Sequence, residues 1–385
     1  MNEKIIYLDN AASTPIRPEA IDAMTSVLSD CYGNPSGAHK MAREARRLID
    51  DARDTLSHGL GCDPKEIIFT AGGTEADNLA IFGIQGSRDG TILASVTDHH
   101  AVIAPVEQLE GEFIQVNESG LLDLDHLAHL LDENVALVSV GLVNGETGII
   151  QDLEPIAEIV RSKAPKALIH TDAVQAFPWL DVASLAQSAD LISIAGHKFG
   201  SPKGVGALVV RNGIEISPMQ LGGGQELGIR SGTQNTAAIV AMAAAAEVTV
   251  MERELTVERV AKMRDVLADN LQGIPQSYET GVSLHNGIAD RSHKIAGSCH
   301  FCFEGIESEA LLYMLEQEHI LASAASSCSS GAQDPSHVLA AMGYSRNLAG
   351  GSLRLSLGHA TTWEDVDVAM KAVPKFIENL RKTGS

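Results

Sequence analysis

The stretch Ile67-Ile68-Phe69-Thr70-Ala71-Gly72-Gly73-Thr74-Glu75-Ala76-Asp77-Asn78 reads as a strand that runs into two glycines and then into a helix. Thr74 and Asp77 have the spacing of a capping box at the start of that helix. Free amides at such a start suit a phosphate, and a plain βα turn whose glycines let the backbone bend accounts for the same residues. This first β-rich run, Glu66–Thr70, is followed by others at Thr91–Val96, Val135–Val140, Ala167–Thr171 and Asp190–Ile194. The chain between them is long enough for helical crossovers, which parallel strands require. The expected fold class is α/β, a mostly parallel sheet covered by helices.

Upstream, Met41, Ala45, Leu48, Ala52 and Leu56 recur at three and four residues, which predicts an amphipathic helix over Ala38–Leu60. Downstream, a proline-free, alanine-rich stretch from Gln234 to Leu271 predicts a long helix, and the domain boundary is expected within it. Beyond it, Ser298–Phe303 and Ser352–Ser356 read as strands, and Ser308–Gln317 and Trp363–Leu380 as helices, suggesting a smaller α+β domain. A chain of 385 residues is long enough for two cores and a water-excluding site.

Fifty acidic against 28 basic side chains give a formal charge of −22, which repels phosphate backbones and anionic lipid. Nucleic acid and membrane partners are not expected. No signal-peptide run or long apolar stretch occurs, and the five cysteines are too scattered for a disulfide framework. The expectation is a cytoplasmic protein with reduced thiols.

Several residues at strand ends carry candidate chemistry, since open α/β sheets place ligands there. Asp172 closes the Ala167–Thr171 run, where a carboxylate can pair with a protonated pyridine nitrogen or cap the following turn. Lys198 follows Asp190–Ile194 between Gly196-His197 and Phe199-Gly200, where it can form an imine or lie exposed in a loop. Cys328 sits in Leu321–Gly331, small and polar throughout, which predicts a mobile loop around a reactive thiol; a buried structural cysteine is the alternative. Cys299 and Cys302 lie three apart on a strand, hence on opposite faces, and His126 and His129 lack further ligands. No metal site is expected.

With these residues in view, the chain resembles the cysteine desulfurases, a family within the aminotransferase class V group of fold-type I pyridoxal-phosphate enzymes. The markers are Tyr7-Leu8-Asp9-Asn10-Ala11-Ala12, Asn34-Pro35-Ser36, Phe69 to Asn78, Asp98-His99-His100-Ala101-Val102, Thr171-Asp172-Ala173-Val174-Gln175 and Gly196-His197-Lys198. Further on come Gly222-Gly223-Gly224-Gln225-Glu226, Arg230-Ser231-Gly232-Thr233, Cys328 with Asp334 to Leu339 behind it, and Arg354-Leu355-Ser356-Leu357-Gly358. They span nearly the whole chain in the family's order.

The resemblance implies a large domain over residues 13–250, on a mostly parallel seven-stranded sheet with flanking helices. Residues 1–12 and 251–385 would form a smaller α+β domain carrying the Cys328 loop and Arg354. It implies that pyridoxal 5'-phosphate is the cofactor, that Lys198 binds it as an imine, that His99 stacks on its ring, and that Asp172 keeps the ring nitrogen protonated. Gln175 would bond the phenolic oxygen. Gly73, Thr74 and His197 would hold the phosphate, with Thr233 supplied by the second subunit of a homodimer. Asn34 and Arg354 would bind the substrate L-cysteine, Arg354 through a bidentate pair with its carboxylate. Cys328 would take the sulfur as a persulfide and pass it to an acceptor protein, a scaffold or carrier, for iron-sulfur cluster assembly or other sulfur trafficking.

Four positions depart from the family's pattern. Gly145 stands where a second asparagine is usual, Ala195 where a serine bonds the phosphate, and Leu227 and His359 replace arginines. Each lost bond to a charged partner is worth about 1.5–3 kcal/mol before water substitutes, enough to weaken cofactor binding by an order of magnitude or more. Two other functions fit parts of the sequence: a related β-elimination lyase that makes no persulfide, and a non-catalytic scaffold that keeps the fold to bind sulfur-carrier partners.

Overall fold

The computed structural model describes residues 4–285, 288–324 and 336–383. Seven strands form the large sheet in the spatial order Ile67–Thr70, Gly206–Val210, Leu191–Ala195, Leu168–Asp172, Val135–Ser139, Thr91–Ser95, Glu112–Ile114. Gly206–Val210 runs antiparallel to both neighbours, and the other pairings are parallel. Most of these strands are buried along their whole length, as a sheet covered on both faces requires. Helices Lys40–Leu60 and Thr236–Gln272 contribute Ile49, Leu56, Ala241 and Met242 to the core on one face. Helices Gly73–Gln85 and His100–Gln108 contribute Leu79, Ile84, Val102 and Val106 to the core on the other.

The five strands expected from patterning are all present, each shifted by at most one residue at an end. Lys40–Leu60 ends where predicted because Gly61 takes the left-handed conformation, φ 61°, that closes the helix. The expected capping box at Thr74 and Asp77 is not formed. The helix starts at Gly73, its cap is Gly72 without a side-chain bond, and the carboxylate reaching back to the Ala71 amide belongs to Glu75, at 2.7 Å. The glycine pair makes the turn without a side-chain cap, which frees Asp77 to point into the protein.

A second core gathers Val260, Leu267 and Leu271 from the far end of the 37-residue helix Thr236–Gln272, with Phe301, Phe303, Leu353 and Phe376. Its sheet is antiparallel, ordered Ser352–Ser356, Ser298–Phe303, Ser277–Glu279. Ile6 and Leu8 belong to this core, and Ile6–Tyr7 pairs in parallel with Ile320–Leu321. Both Cys299 and Cys302 are fully buried, on opposite sides of their strand, and burial pushes each thiol up to about 12. Among the described residues no helix is long and apolar enough to cross a membrane.

Candidate active site

A cavity of about 640 Å³ opens where the parallel strands end, and Gly73, Thr74, His99, Asp172, Gln175, His197, Lys198 and Arg354 all line it. At one end stands the N-terminus of Gly73–Gln85, whose first intrahelical bond is Ala76 N–H to Gly72 O, so the amides of Gly73, Thr74 and Glu75 precede the helical ladder. Beside it, the Nδ1 atom of His197 is buried without a hydrogen-bond partner. Burial, then the charges of Lys198 and Lys203, lower the pKa of His197 to about 4, so its ring is neutral. A Cβ on Gly73 would lie 2.8 Å from Val174 Cγ2, so any larger residue there would force Val174 to shift. The helix amides and the orphaned imidazole nitrogen form a donor set suited to a phosphate.

Asp172 ends its strand, and its Oδ1 accepts the Val174 amide at 2.8 Å, so it caps the turn and also faces the cavity. Burial raises its pKa, while the Val174 bond and the charges of His99 and Lys198 oppose that rise. His99 caps the helix His100–Gln108, its Nδ1 accepting the Ala101 amide at 3.1 Å. That bond fixes the ring and leaves the neutral tautomer's proton on Nε2. Surrounding protein lowers the His99 pKa, chiefly by desolvation, with Asp172 opposing. Lys198 closes a single turn after Leu191–Ala195, and its Nζ donates to the carbonyls of Ala11 and, at 3.2 Å, Ala12. Gln175 Nε2 donates to the same Ala11 oxygen at 2.6 Å.

At the other end, the buried Arg354 extends from the small sheet. Its Nη2 donates to Asp9 Oδ1 at 2.9 Å and its Nη1 to the Gly145 carbonyl at 3.0 Å, while Nε is buried without a partner. Glu146 is buried next to it, with Oε2 accepting the Ser336 hydroxyl at 2.8 Å. Burial pushes the Glu146 carboxyl up to about 7, opposed by Ser336 and Arg354. His337 Nε2 donates to the Asp98 carbonyl at 3.1 Å, and its ring packs 4.7 Å from that of His100.

Two of the expected residues that are described lie outside this chain's pocket lining. Asn34 is exposed, and its Oδ1 accepts the Ser36 amide at 2.9 Å, a local turn outside this chain's own pocket lining. Thr233 is exposed and lines no part of this chain's pocket. Cys328, its expected mobile loop and the Asp334-Pro335 pair lie outside the described residues.

Of the departures, Ala195 and Gly145 both line the cavity, the first beside Gly73 and the second beside Gln175. Leu227 is 72% exposed, in left-handed backbone with φ 60°. His359 lines a smaller neighbouring cavity with Thr14 and Arg17, and burial lowers its pKa to about 4. The site also contains residues that patterning passed over: Asp9, Ala11, Ala12, Asp98 and Glu146. Asp9, Ala11 and Ala12 lie within the quoted Tyr7–Ala12 motif, which was the available signal; their contacts to Arg354, Lys198 and Gln175 pass through one carboxylate and two carbonyls.

The chain belongs to the aminotransferase class-V family, whose sequence pattern matches residues 6–368. That family is pyridoxal-phosphate dependent. Within it, the chain stands among the cysteine desulfurases. It is 37% identical to the cysteine desulfurase IscS of Methanosarcina thermophila, over 98% of this chain and 93% of that one. It is 41% identical to the IscS-like cysteine desulfurase of Mycobacterium tuberculosis, over 98% and 97%. Among solved structures, a NifS-like protein matches with a TM-score of 0.89 at 31% identity, over 98% of this chain and all of that one.

Proposed function

We propose that this chain is a cysteine desulfurase whose pocket holds pyridoxal 5'-phosphate on Lys198 and whose acceptor thiol is Cys328. The observation that carries the reading is the convergence of Lys198, Asp172, His99, His197 and Arg354 on one cavity. Gly73, Thr74 and His197 hold the phosphate, Asp172 faces the ring nitrogen, Gln175 serves the phenolic oxygen and His99 covers the ring. When bound, the cofactor supplies an electron sink for charge developing on the substrate. His99, neutral with its proton on Nε2, can exchange that proton with the substrate. Arg354 binds the substrate carboxylate, and its present contacts with Asp9 and the Gly145 carbonyl hold the guanidinium in place until it arrives.

The net reaction is L-cysteine plus the Cys328 thiol giving L-alanine plus a Cys328 persulfide: the substrate carbon–sulfur bond breaks and a sulfur–sulfur bond forms. Ser323, Ser336 and Arg354 line the same cavity. Five residues from Ser323, Cys328 is tethered within about 18 Å of it, which supports access to the substrate sulfur. A second copy of the chain supplies Thr233. The exposed apolar side chains Met219, Leu221 and Leu227 in the same stretch support such an interface. Free thiols at Cys31, Cys62, Cys299 and Cys302 suit a reducing cytoplasm, and the sulfur passes to an acceptor protein.

Incubation with L-cysteine is expected to give alanine, with sulfide released when a thiol reductant is present. Pyruvate in place of alanine would make the protein a β-eliminating lyase. Gly145→Asn is expected to tighten cofactor binding about tenfold or more, the worth of one hydrogen bond to a charged partner at about 1.5–3 kcal/mol. A Cβ at 145 would meet Gln175 at 3.4 Å, ordinary contact, so the backbone there does not itself exclude a side chain. An unchanged or weaker dissociation constant, measured by absorbance titration of the cofactor-free protein, would show that the missing asparagine is not what limits affinity.

A further inference from the structure

Ser139, His170, Asp172 and Ser193 share one face of the large sheet, because the register sets Ser139 beside His170 and Asp172 beside Ser193. Asp77, on the helix Gly73–Gln85 that covers this face, is 1% exposed and also lines the cavity. Its Oδ1 has no hydrogen-bond partner and lies 3.6 Å from His170 Nε2. Ser193 lies close enough to Asp77 to favour its charged form. Ser193 Oγ lies 2.9 Å from His170 Nε2, and His170 Nδ1 lies 2.8 Å from Ser139 Oγ. Ser193, His170 and Ser139 thus form a buried hydrogen-bonded chain, and Asp77 stands against it from the cavity side.

We propose that Asp77 is held as a neutral carboxylic acid, a positioning residue that donates its proton into the Ser193–His170–Ser139 chain and leaves Asp172 as the charged carboxylate of this corner. Buried Asp77 and Asp98 and the half-buried Asp172 line the cavity together, and Asp77 feels the charge of both the others, so all three are not expected to ionise together. Asp98 accepts the Gly141 amide at 2.8 Å and the Ser95 amide at 3.3 Å, although burial still pushes its carboxyl up to about 8, and Asp172 is offset by the Val174 amide and the charges of His99 and Lys198. Asp77 has only Ser193. With the acid protonated, every donor points one way: Asp77 to Ser193, Ser193 to His170 Nε2, and His170 Nδ1–H to Ser139. Among the described residues no cation pairs with Asp77, and burial lowers the pKa of the adjacent His170 to about 3. Burial first, then the charge of Asp172, raise the Asp77 pKa well above its usual value, against the influence of Ser193. This bears on the cofactor reading of Asp172 without depending on it, because it concerns the protein's own protons.

The sign of the pH dependence follows. A carboxyl whose folded pKa is raised contributes stability below its unfolded pKa and loses it as the pH rises toward the folded value. Asp77→Asn keeps the donor and removes the titration. Urea unfolding of the full chain from about pH 5 to about pH 8 is expected to show the unsubstituted protein losing ground to Asp77→Asn, with a gap that widens as the pH rises. Asp77→Ala, which cannot donate to Ser193, should unfold at lower urea than Asp77→Asn throughout. Parallel pH profiles for the unsubstituted and Asn proteins would overturn the proposal. Should the variants fail to fold, an isotope-edited infrared titration of aspartate-labelled protein decides it. Because burial also pushes Asp98 up to about 8, the titration is repeated on Asp98→Asn; a protonated-carboxyl band persisting at neutral pH in that variant is expected, and its absence overturns the proposal.

Discussion

Lys198→Ala is expected to give a folded chain that holds no cofactor covalently and makes no alanine from cysteine. Lys198 is the lysine presented by the turn after Leu191–Ala195, and it lines the cavity with Gly73, His197 and Arg354. Its Nζ already rests on the carbonyls of Ala11 and Ala12, so removing it costs about 1.5–3 kcal/mol of charged hydrogen bonding, which a chain with two cores can absorb. The chemical loss is of another order, because no other side chain in the pocket is a primary amine. Lys198→Arg separates the two effects: it keeps the charge and the contacts but cannot form an imine. Both variants should lose the visible absorption of the bound cofactor. An unchanged spectrum, or a borohydride-reduced cofactor mapped to a different lysine, would contradict the assignment.

The large sheet was legible because a parallel strand buried on both faces is a short apolar run with no polar alternation, as in Val135–Ser139 and Leu191–Ala195. Gly206–Val210 has the same character, but nothing in an apolar run states whether it pairs parallel or antiparallel. At the site, Asp172, Lys198 and His197 were legible because they follow such runs, and strand ends are where open sheets bind ligands. Asp77 was misread as a cap because its spacing from Thr74 is that of a capping box, and spacing does not reveal that two preceding glycines shift the helix start. The carbonyls of Ala11 and Ala12 leave no side-chain signature at all. Glu146 adjoins Gly145, the position that drew attention as a missing asparagine, and its partner Ser336 is 190 residues away in the chain.

Cys328→Ser is expected to leave cofactor binding intact while alanine production falls by about two orders of magnitude or more. The residues that hold the cofactor in this account, Gly73, Thr74, Asp172, Gln175, His197 and Lys198, all belong to the large sheet and its helices, and none depends on Cys328. What serine cannot do is accept sulfur: the thiolate is the nucleophile, and a hydroxyl forms no persulfide. No other described cysteine can substitute, because burial pushes Cys62, Cys299 and Cys302 each up to about 12, and Cys31 is buried and lies outside the cavity lining. The most direct test is mass spectrometry of the unsubstituted protein after incubation with L-cysteine and without reductant. One additional sulfur atom on the peptide containing Cys328 is the predicted result; alanine formed at the full rate with no sulfur on that peptide, or sulfur carried on another cysteine, would contradict it.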